Sequence, residues 1–449
     1  MGVKRPLLST LKGGAVLFPL CLLLLSACAG PSSSMRKDVD ARIARGDYPG
    51  AESVITGAKL TSYGKKNMVL YYLDLGAVQH DAGQYKESDQ SLATAEGRMD
   101  ELYTKSLHQE AGTLLLNDNT VDYAGERFER AFVNVYRALD YLFSGDRDDA
   151  LVEIRKLSRL LQEYSDTAGA KTAYKDDAFA QYLSGLLYAD GGQDDDARIA
   201  FEAAGRAYKN YTASYGSPAP AEMDASAGDA QTGELVFLHA NGTAPRKISS
   251  SLQVAWNEAV AAVNSTKNDE AQGGQAMDAL RAGVLGHAIT VSYPTYVQDP
   301  FQIASSEVES EGKSASTQLV DDVSAIAMKA LAERQALIKT RAVARAAIKY
   351  ILAKAATDEV KRKFGSSSWQ ALAAQVASNI VAAATEVADT RAWATLPSQF
   401  RLARLRLPPG EHAVTVRYKN AAGAVILTRT FKTTIRKGQR AYLRDRTAL

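Results

Sequence analysis

Cysteine is almost missing from this chain: 449 residues hold two, Cys21 and Cys28. So few exclude a disulfide-stapled scaffold and any cysteine-rich metal cluster. Histidine is also scarce, and His80, His108, His239, His287 and His412 stand far apart with no H-E-x-x-H pair, so no metal site is expected. The chain has neither a G-x-x-x-x-G-K-[ST] phosphate loop nor a G-x-S-x-G nucleophile elbow. A triad assembled by the fold is invisible at this level, because such triads are defined by geometry. With 12 Pro and 32 Gly the composition is neither collagenous nor low-complexity. An excess of one charge is missing too. The 53 bases and 51 acids give +2, and the first 27 residues contain Lys4, Arg5, Lys12 and no acid, leaving 50 bases against 51 acids. That balance gives no general attraction for nucleic acid or for an anionic membrane. Apolar runs long enough to span a bilayer are absent; Ala15 to Leu25, broken by Pro19, and Ile380 to Ala384 are both too short. What remains, 46% hydrophobic and 23% charged, is a folded chain of roughly two to four domains.

The amino terminus gives the address. Lys4 and Arg5 precede the apolar run, which ends at Leu25-Ser26-Ala27-Cys28. A basic segment, a short apolar segment and small residues form a cleaved signal over 1–27. The tetrapeptide resembles the lipobox of bacterial lipoproteins, which implies cleavage before Cys28 and diacylglycerol on its sulfur, the nucleophile that accepts the lipid. The alternative is an ordinary signal with Cys28 as a bystander. Two or three acyl chains anchor a protein stably without spanning, so the resemblance implies no cofactor beyond this covalent lipid. Ala29 stands where inner-membrane retention would want Asp, which implies the outer membrane, facing the periplasm, in a Gram-negative cell. Residues 28–36 then form a lipidated tether containing Gly30-Pro31-Ser32-Ser33-Ser34.

Residues 37–211 alternate amphipathic stretches with Gly or Asp punctuation, the pattern of an α-helical array. Leu75-Gly76, the turn Gly83-Gln84-Tyr85, then Ser88, Leu92 and Ala95 parallel Gly185 and Tyr188, the turn Gly192-Gln193-Asp194, then Ala197, Phe201 and Ala204. These offsets resemble the tetratricopeptide repeat, in which small residues let paired helices approach and a bulky one fills the groove. Gly46 and Gly145 mark two partial copies. Spacings of 37, 62 and 47 break the regular period of 34. The tyrosines here, Tyr71, Tyr136 and Tyr182 among them, are read as interhelical packing, with lining of a concave groove as the alternative.

Residues 212–233, rich in Ala, Ser, Gly and Asp, read as a surface linker. From 234 to 395 a mixed α/β domain is expected. It has strands at Gly233 to His239, Ala288 to Pro294 and within Phe301 to Val308. A long helix follows from Thr317 to Phe364, capped by Ser316 or Thr317, and a second Ala-rich helix from Ser368 to Trp393 completes a hairpin. The piece from Trp256 to Gln275 reads as a helix followed by a loop. Arg341, Arg345 and Lys349 share one helix face by i, i+4 spacing. The plain reading is a solvated face, and the functional one an edge for anionic lipid, glycan or an acidic partner. Residues 396–449 are expected to form a small antiparallel β module with strands around the Pro408-Pro409-Gly410 turn and over Ala424 to Ile435 and Arg440 to Leu443. Paired acids, Asp176-Asp177 and Asp194-Asp195-Asp196, read as helix caps.

The expected class is therefore α+β multidomain: a tetratricopeptide-like helical array, a mixed domain with long Ala-rich helices, and a C-terminal β module. The whole resembles bacterial outer-membrane lipoproteins with such repeats, a resemblance that carries no catalytic residues. It implies a non-catalytic scaffold or adaptor in envelope assembly or maintenance, with other envelope proteins and the membrane as partners. The alternatives are a peptidoglycan- or glycan-associated lipoprotein and a hydrolase with a fold-assembled site. No nucleic-acid partner is expected.

Overall fold

The computed structural model describes residues 31–109, 121–168, 174–224, 231–255, 288–365 and 388–449. The lipobox, Cys28 and the 256–287 stretch lie outside them, as does most of the expected second Ala-rich helix. Four helical hairpins come first: α1 (Ser33–Ala44) with α2 (Tyr48–Gly57), α3 (Met68–Asp81) with α4 (Tyr85–Gln109), α5 (Arg127–Ser144) with α6 (Arg147–Ala168), and α7 (Ala178–Asp190) with α8 (Asp194–Tyr215). Each turns at a glycine in the left-handed region, Gly46, Gly83, Gly145 and Gly192, with φ of 71°, 78°, 86° and 69°. The amides of Asp47, Gln84, Asp146 and Gln193 return to the carbonyls five residues back at 2.9, 2.9, 2.8 and 2.9 Å. That 6→1 bond is the glycine-dependent helix stop, so four local sequences set four chain reversals.

Helices α3, α5 and α7 are buried along almost their whole length, while α8 keeps a polar side that includes Asp194, Asp195 and Asp196. Glycines set the distance within two hairpins. A Cβ on Gly76 would lie 2.6 Å from Leu92, and one on Gly185 would lie 2.7 Å from Phe201. The bulky residue of the second helix thus rests on the bare backbone of the first.

The strands build two four-stranded sheets and a ribbon. In the first sheet the order is β10 (Arg440–Thr447), β1 (Gly233–Asn241), β7 (Gln399–Leu407), β6 (Gln318–Asp321), with β10 parallel to β1 and the other pairs antiparallel. The second is antiparallel, β5 (Lys313–Ser316), β4 (Ser305–Ser310), β8 (Gly410–Lys419), β9 (Val425–Ile435). Strands β2 (Arg246–Ala255) and β3 (Ala288–Val297) form the ribbon, which packs against the 42-residue helix α9 (Val323–Phe364). All nine residues of β1 are buried. Val236, Leu238 and Ala240 join the helical core with Phe400 and Leu402 of β7, whereas Leu235 and Phe237 join Val414, Val416 and Tyr418 beneath the second sheet. The layers are helices, first sheet, second sheet, and the chain is a mixed α+β fold.

Several expected boundaries differ. The 396–449 segment is not a separate module: β7 and β10 flank β1, and β8 pairs with β4, so both sheets interleave it with the preceding segment. The long helix starts at Val323 rather than Thr317. Gln318 to Asp321 pair with β7, Thr317 Oγ1 receives the Ser306 amide at 3.1 Å, and Asp322 caps the helix through the Ala325 amide at 2.8 Å. Residues 388–393 are irregular, so no helix reaches Trp393. The start of the supposed linker is tied down: Ser217 is buried, Tyr182 donates to the Glu222 carbonyl at 3.0 Å, and the Ala221 amide donates to Gln318 at 2.8 Å.

A paired substitution tests the glycine contacts. Gly185→Ala is expected to lose about 1–3 kcal/mol by overpacking Phe201. Gly205→Ala, on α8 with nothing within 4 Å of its Cβ position, should gain up to about 1 kcal/mol. Urea unfolding of both variants reads the difference.

Candidate functional site

The most elaborate polar chemistry lies where the first sheet meets the helices. Arg440, Tyr442, Arg444 and Arg446 alternate along β10, so a period of two sends all four toward the helices. On β1, Glu234 is fully buried and takes Arg404 of β7 at 2.8 Å and Arg440 at 2.7 Å. Arg440 also reaches Asp190, the last residue of α7, at 2.7 Å, and Tyr442 donates to the same carboxylate at 2.8 Å. Two hairpins earlier the arrangement recurs. Asp81, the last residue of α3, lies 3.3 Å from both Arg444 and Arg446, and Arg444 donates to the His80 carbonyl. Guanidinium groups thus meet the negative ends of two helix dipoles.

A second polar centre holds the irregular segment before β7. Asp74 of α3 accepts the Tyr63 hydroxyl at 2.8 Å, the Ala394 and Thr395 amides at 3.1 and 3.2 Å, and the Thr395 hydroxyl at 3.1 Å. Glu129 of α5 accepts the Tyr123 hydroxyl at 2.6 Å, the Glu126 amide at 2.9 Å and the Trp393 amide at 2.7 Å. Burial pushes Asp74 up to about 6; burial and neighbouring Glu126 push Glu129 up to about 7. Glu126 goes the other way: burial opposes its charge, but Lys247 and Arg334 outweigh it and hold it near 2. Beyond this clamp, Phe400 stacks between Phe132 and Phe179, at 6.4 and 5.5 Å, and Trp393 lies 5.5 Å from Tyr136. The chain's own segment therefore covers the inner side of α3, α5 and α7, where groove-lining tyrosines were the alternative reading.

His80, His239 and His412 serve the interior. His80 Nδ1 and Asp140 are 2.6 Å apart, and burial raises the carboxyl's pKa and lowers the imidazole's, so burial disfavours a charged pair there. His239 Nδ1 meets the Ser306 hydroxyl at 2.9 Å, a serine–histidine pair that sequence did not reveal. Its other nitrogen meets the Thr447 hydroxyl at 2.7 Å rather than a carboxylate; His239 and Ser306 are 0% and 1% exposed, and burial lowers the imidazole's pKa. A sealed base without an orienting carboxylate serves as a structural hydrogen bond. His412 braces the Pro408 turn at 2.7 Å.

Of the residues singled out by sequence, Gly76, Gly83, Gly185 and Gly192 occupy the helix contacts and turns described above. Ala197, Phe201 and Ala204 are buried on α8, and Tyr188 is partly buried at the edge of the helical core. Arg341, Arg345 and Lys349 do not form an exposed row: Arg341 is exposed, Arg345 is 6% exposed between buried Ala344 and Ala346, and the Lys349 side chain lies outside the described residues. Asp177 caps α7 through the Ala180 amide at 2.7 Å, and Asp176 accepts the Asp177 amide at 2.9 Å. Among the described residues no group of three or more His, Cys, Asp or Glu is placed to hold a metal ion, and no helix is long and apolar enough to cross a membrane. Sequence analysis missed Glu234, Asp74 and Glu129. For Asp74 and Glu234 the available signal was an acid within or beside an otherwise apolar run; Glu129, between Phe128 and Arg130, offered none.

No family model, curated protein or solved structure matches the chain.

Asp74 and Glu129 titrate higher in the folded chain than in an unfolded one, so the folded state holds more protons. Their contribution falls as pH rises from about 4 through about 7, by about 3 kcal/mol for Glu129, 0% exposed. Glu129→Gln should flatten the fall in stability between pH 5 and 7, measured by urea unfolding at several pH values. An unchanged slope would count against this assignment.

Proposed function

We propose that this chain is a lipid-anchored, non-catalytic scaffold of the bacterial envelope, held at the outer membrane through Cys28 and presenting its tetratricopeptide-like helical hairpins to other envelope proteins. The observation that carries this reading is the internal use of its reactive groups. The one described serine–histidine pair, Ser306 and His239, is sealed, and the raised carboxyls Asp74 and Glu129 bind the chain's own amides. The contacts of Gly76 with Leu92 and Gly185 with Phe201 support the repeat resemblance, since each places a bulky residue against a helix glycine. With the inner side of α3, α5 and α7 covered by residues 393–400, partners meet the outer helices α4, α6 and α8. The row that favoured a glycan-binding edge has lost Arg345 to burial.

In-cell crosslinking followed by affinity purification and mass spectrometry tests the reading. Wild type is expected to enrich envelope proteins that Cys28→Ala, mislocalised for want of its lipid, loses by at least about tenfold, a difference of about 1.4 kcal/mol in effective association. Enrichment of no protein by either form would contradict it.

A further inference from the structure

A cavity of about 400 Å³ opens between the start of α1, the middle of α3, the start of β2 and residues 390–395. Its wall is cationic. Arg36, Arg246, Lys247 and Arg391 line it, and Asp74 is the one carboxylate among its lining residues. Asp74 already accepts four hydrogen bonds, and although burial lifts its pKa to about 6 it stays largely ionised at neutral pH, a charge that these donors and Arg36 partly offset. Three of the cations have close carboxylates outside the lining: Arg246 with Asp299 at 2.5 Å, Lys247 with Glu126 at 2.5 Å, and Arg391 with Asp389 at 2.7 Å. Arg36 is held loosely. Its nearest carboxylate, Asp40, is 3.7 Å away, its Nη2 reaches the Ala244 carbonyl only at 3.5 Å, and its Nε is buried with no hydrogen-bond partner.

The first turn of α1 adds a second source of positive potential. Pro31, Ser32 and Ser33 line the cavity, and Ser32 caps the twelve-residue helix by accepting the Met35 amide at 3.2 Å. A helix start directs its positive dipole end and backbone N–H groups outward, a suitable place for a phosphate. Val39, Leu70 and Ile248 add apolar surface to the lining. An orphaned guanidinium donor, a helix start and apolar surface in one cavity fit an amphiphile with an anionic head. The location selects among amphiphiles, because Pro31 follows Cys28 by three residues and the backbone between them spans at most about 11 Å.

We propose that this cavity receives the phosphate of an anionic phospholipid headgroup from the membrane that Cys28 enters, with Arg36 and the start of α1 as its direct donors. The argument from location rests on the anchored reading; the chemistry of the cavity does not. Headgroup capture would orient the body on the membrane, with the cavity toward the bilayer and the sheets away from it.

The test uses the mature chain carrying Cys28→Ala, so that no acyl chain contributes, and vesicles of phosphatidylcholine with or without phosphatidylglycerol. Sedimentation should show saturable binding to the phosphatidylglycerol vesicles. Arg36→Ala should weaken binding about fivefold, the effect of one basic residue at a charged surface. Arg198→Glu, exposed on α8, should leave it unchanged. Arg246→Gln supplies a second reading if Arg36→Ala unfolds, as judged by thermal melting. Equal binding by wild type and both cavity variants would overturn the proposal, as would binding of inorganic phosphate without vesicle binding, which would mark a free-anion site. Failure of the anchor itself would appear separately, as the absence of acyl mass on Cys28 in the native protein.

Discussion

Four arginines from the two strands flanking β1 point into a nearly water-free interface, and everything around them is arranged to receive them. Arg404, Arg440, Arg444 and Arg446 meet three carboxylates, Glu234, Asp190 and Asp81, and carbonyls at the ends of α3 and α7. Burying such charges is costly, and removing one partner from a buried pair costs about 3–5 kcal/mol because the other remains desolvated. The network therefore demands one geometry: Asp81 and Asp190 must end their helices beside β10, and β10 must lie parallel to β1 in its observed register. A slip of one residue would turn all four β10 side chains to the opposite face. Apolar packing supplies most of the favourable free energy, while the arginine row fixes which arrangement of helices and sheet is adopted.

The segment from Trp393 to Phe400 fastens the same two layers by different means. Its amides enter Asp74 and Glu129, and Phe400 fills the space between Phe132 and Phe179. An irregular backbone can be buried only if its polar groups find partners, and these two carboxylates supply them. Both titrate well above the ordinary range, which couples the docking of the segment to pH. The inner side of the helical array is thereby filled by its own chain, and in the proposed reading partners meet the solvated sides of its outer helices.

Local features were legible in the sequence and distant ones were not. The turns at Gly46, Gly83, Gly145 and Gly192 were readable because a left-handed helix stop depends on one residue and its immediate neighbours. The strands around Pro408-Pro409-Gly410 and over 425–435 were readable from alternation for the same reason. The interleaving of β7 and β10 around β1 was not, since strand order depends on pairing between residues more than 150 positions apart, such as Glu234 with Arg406. Arg345 looked like part of a solvated row because i, i+4 spacing gives a face but not what covers it. Gln318 to Asp321 read as the start of a helix because the cap at Asp322 lay only a few residues further on, and the pairing with β7 that extends them is a tertiary effect. Asp74 and Glu129 escaped notice because an acid in a helix is ordinary until the helix proves buried all round.

The central claim is that helices and sheets form one cooperative body, closed by the arginine row and the Trp393–Phe400 segment. Native-state hydrogen exchange tests it most directly. The amides of Trp393, Ala394 and Thr395, which have no secondary structure to protect them, should exchange only by the same global opening as the amides of β1. Fast exchange at these three positions while β1 stays protected would show the segment to be a loosely held strap, and the account of a single body would be wrong.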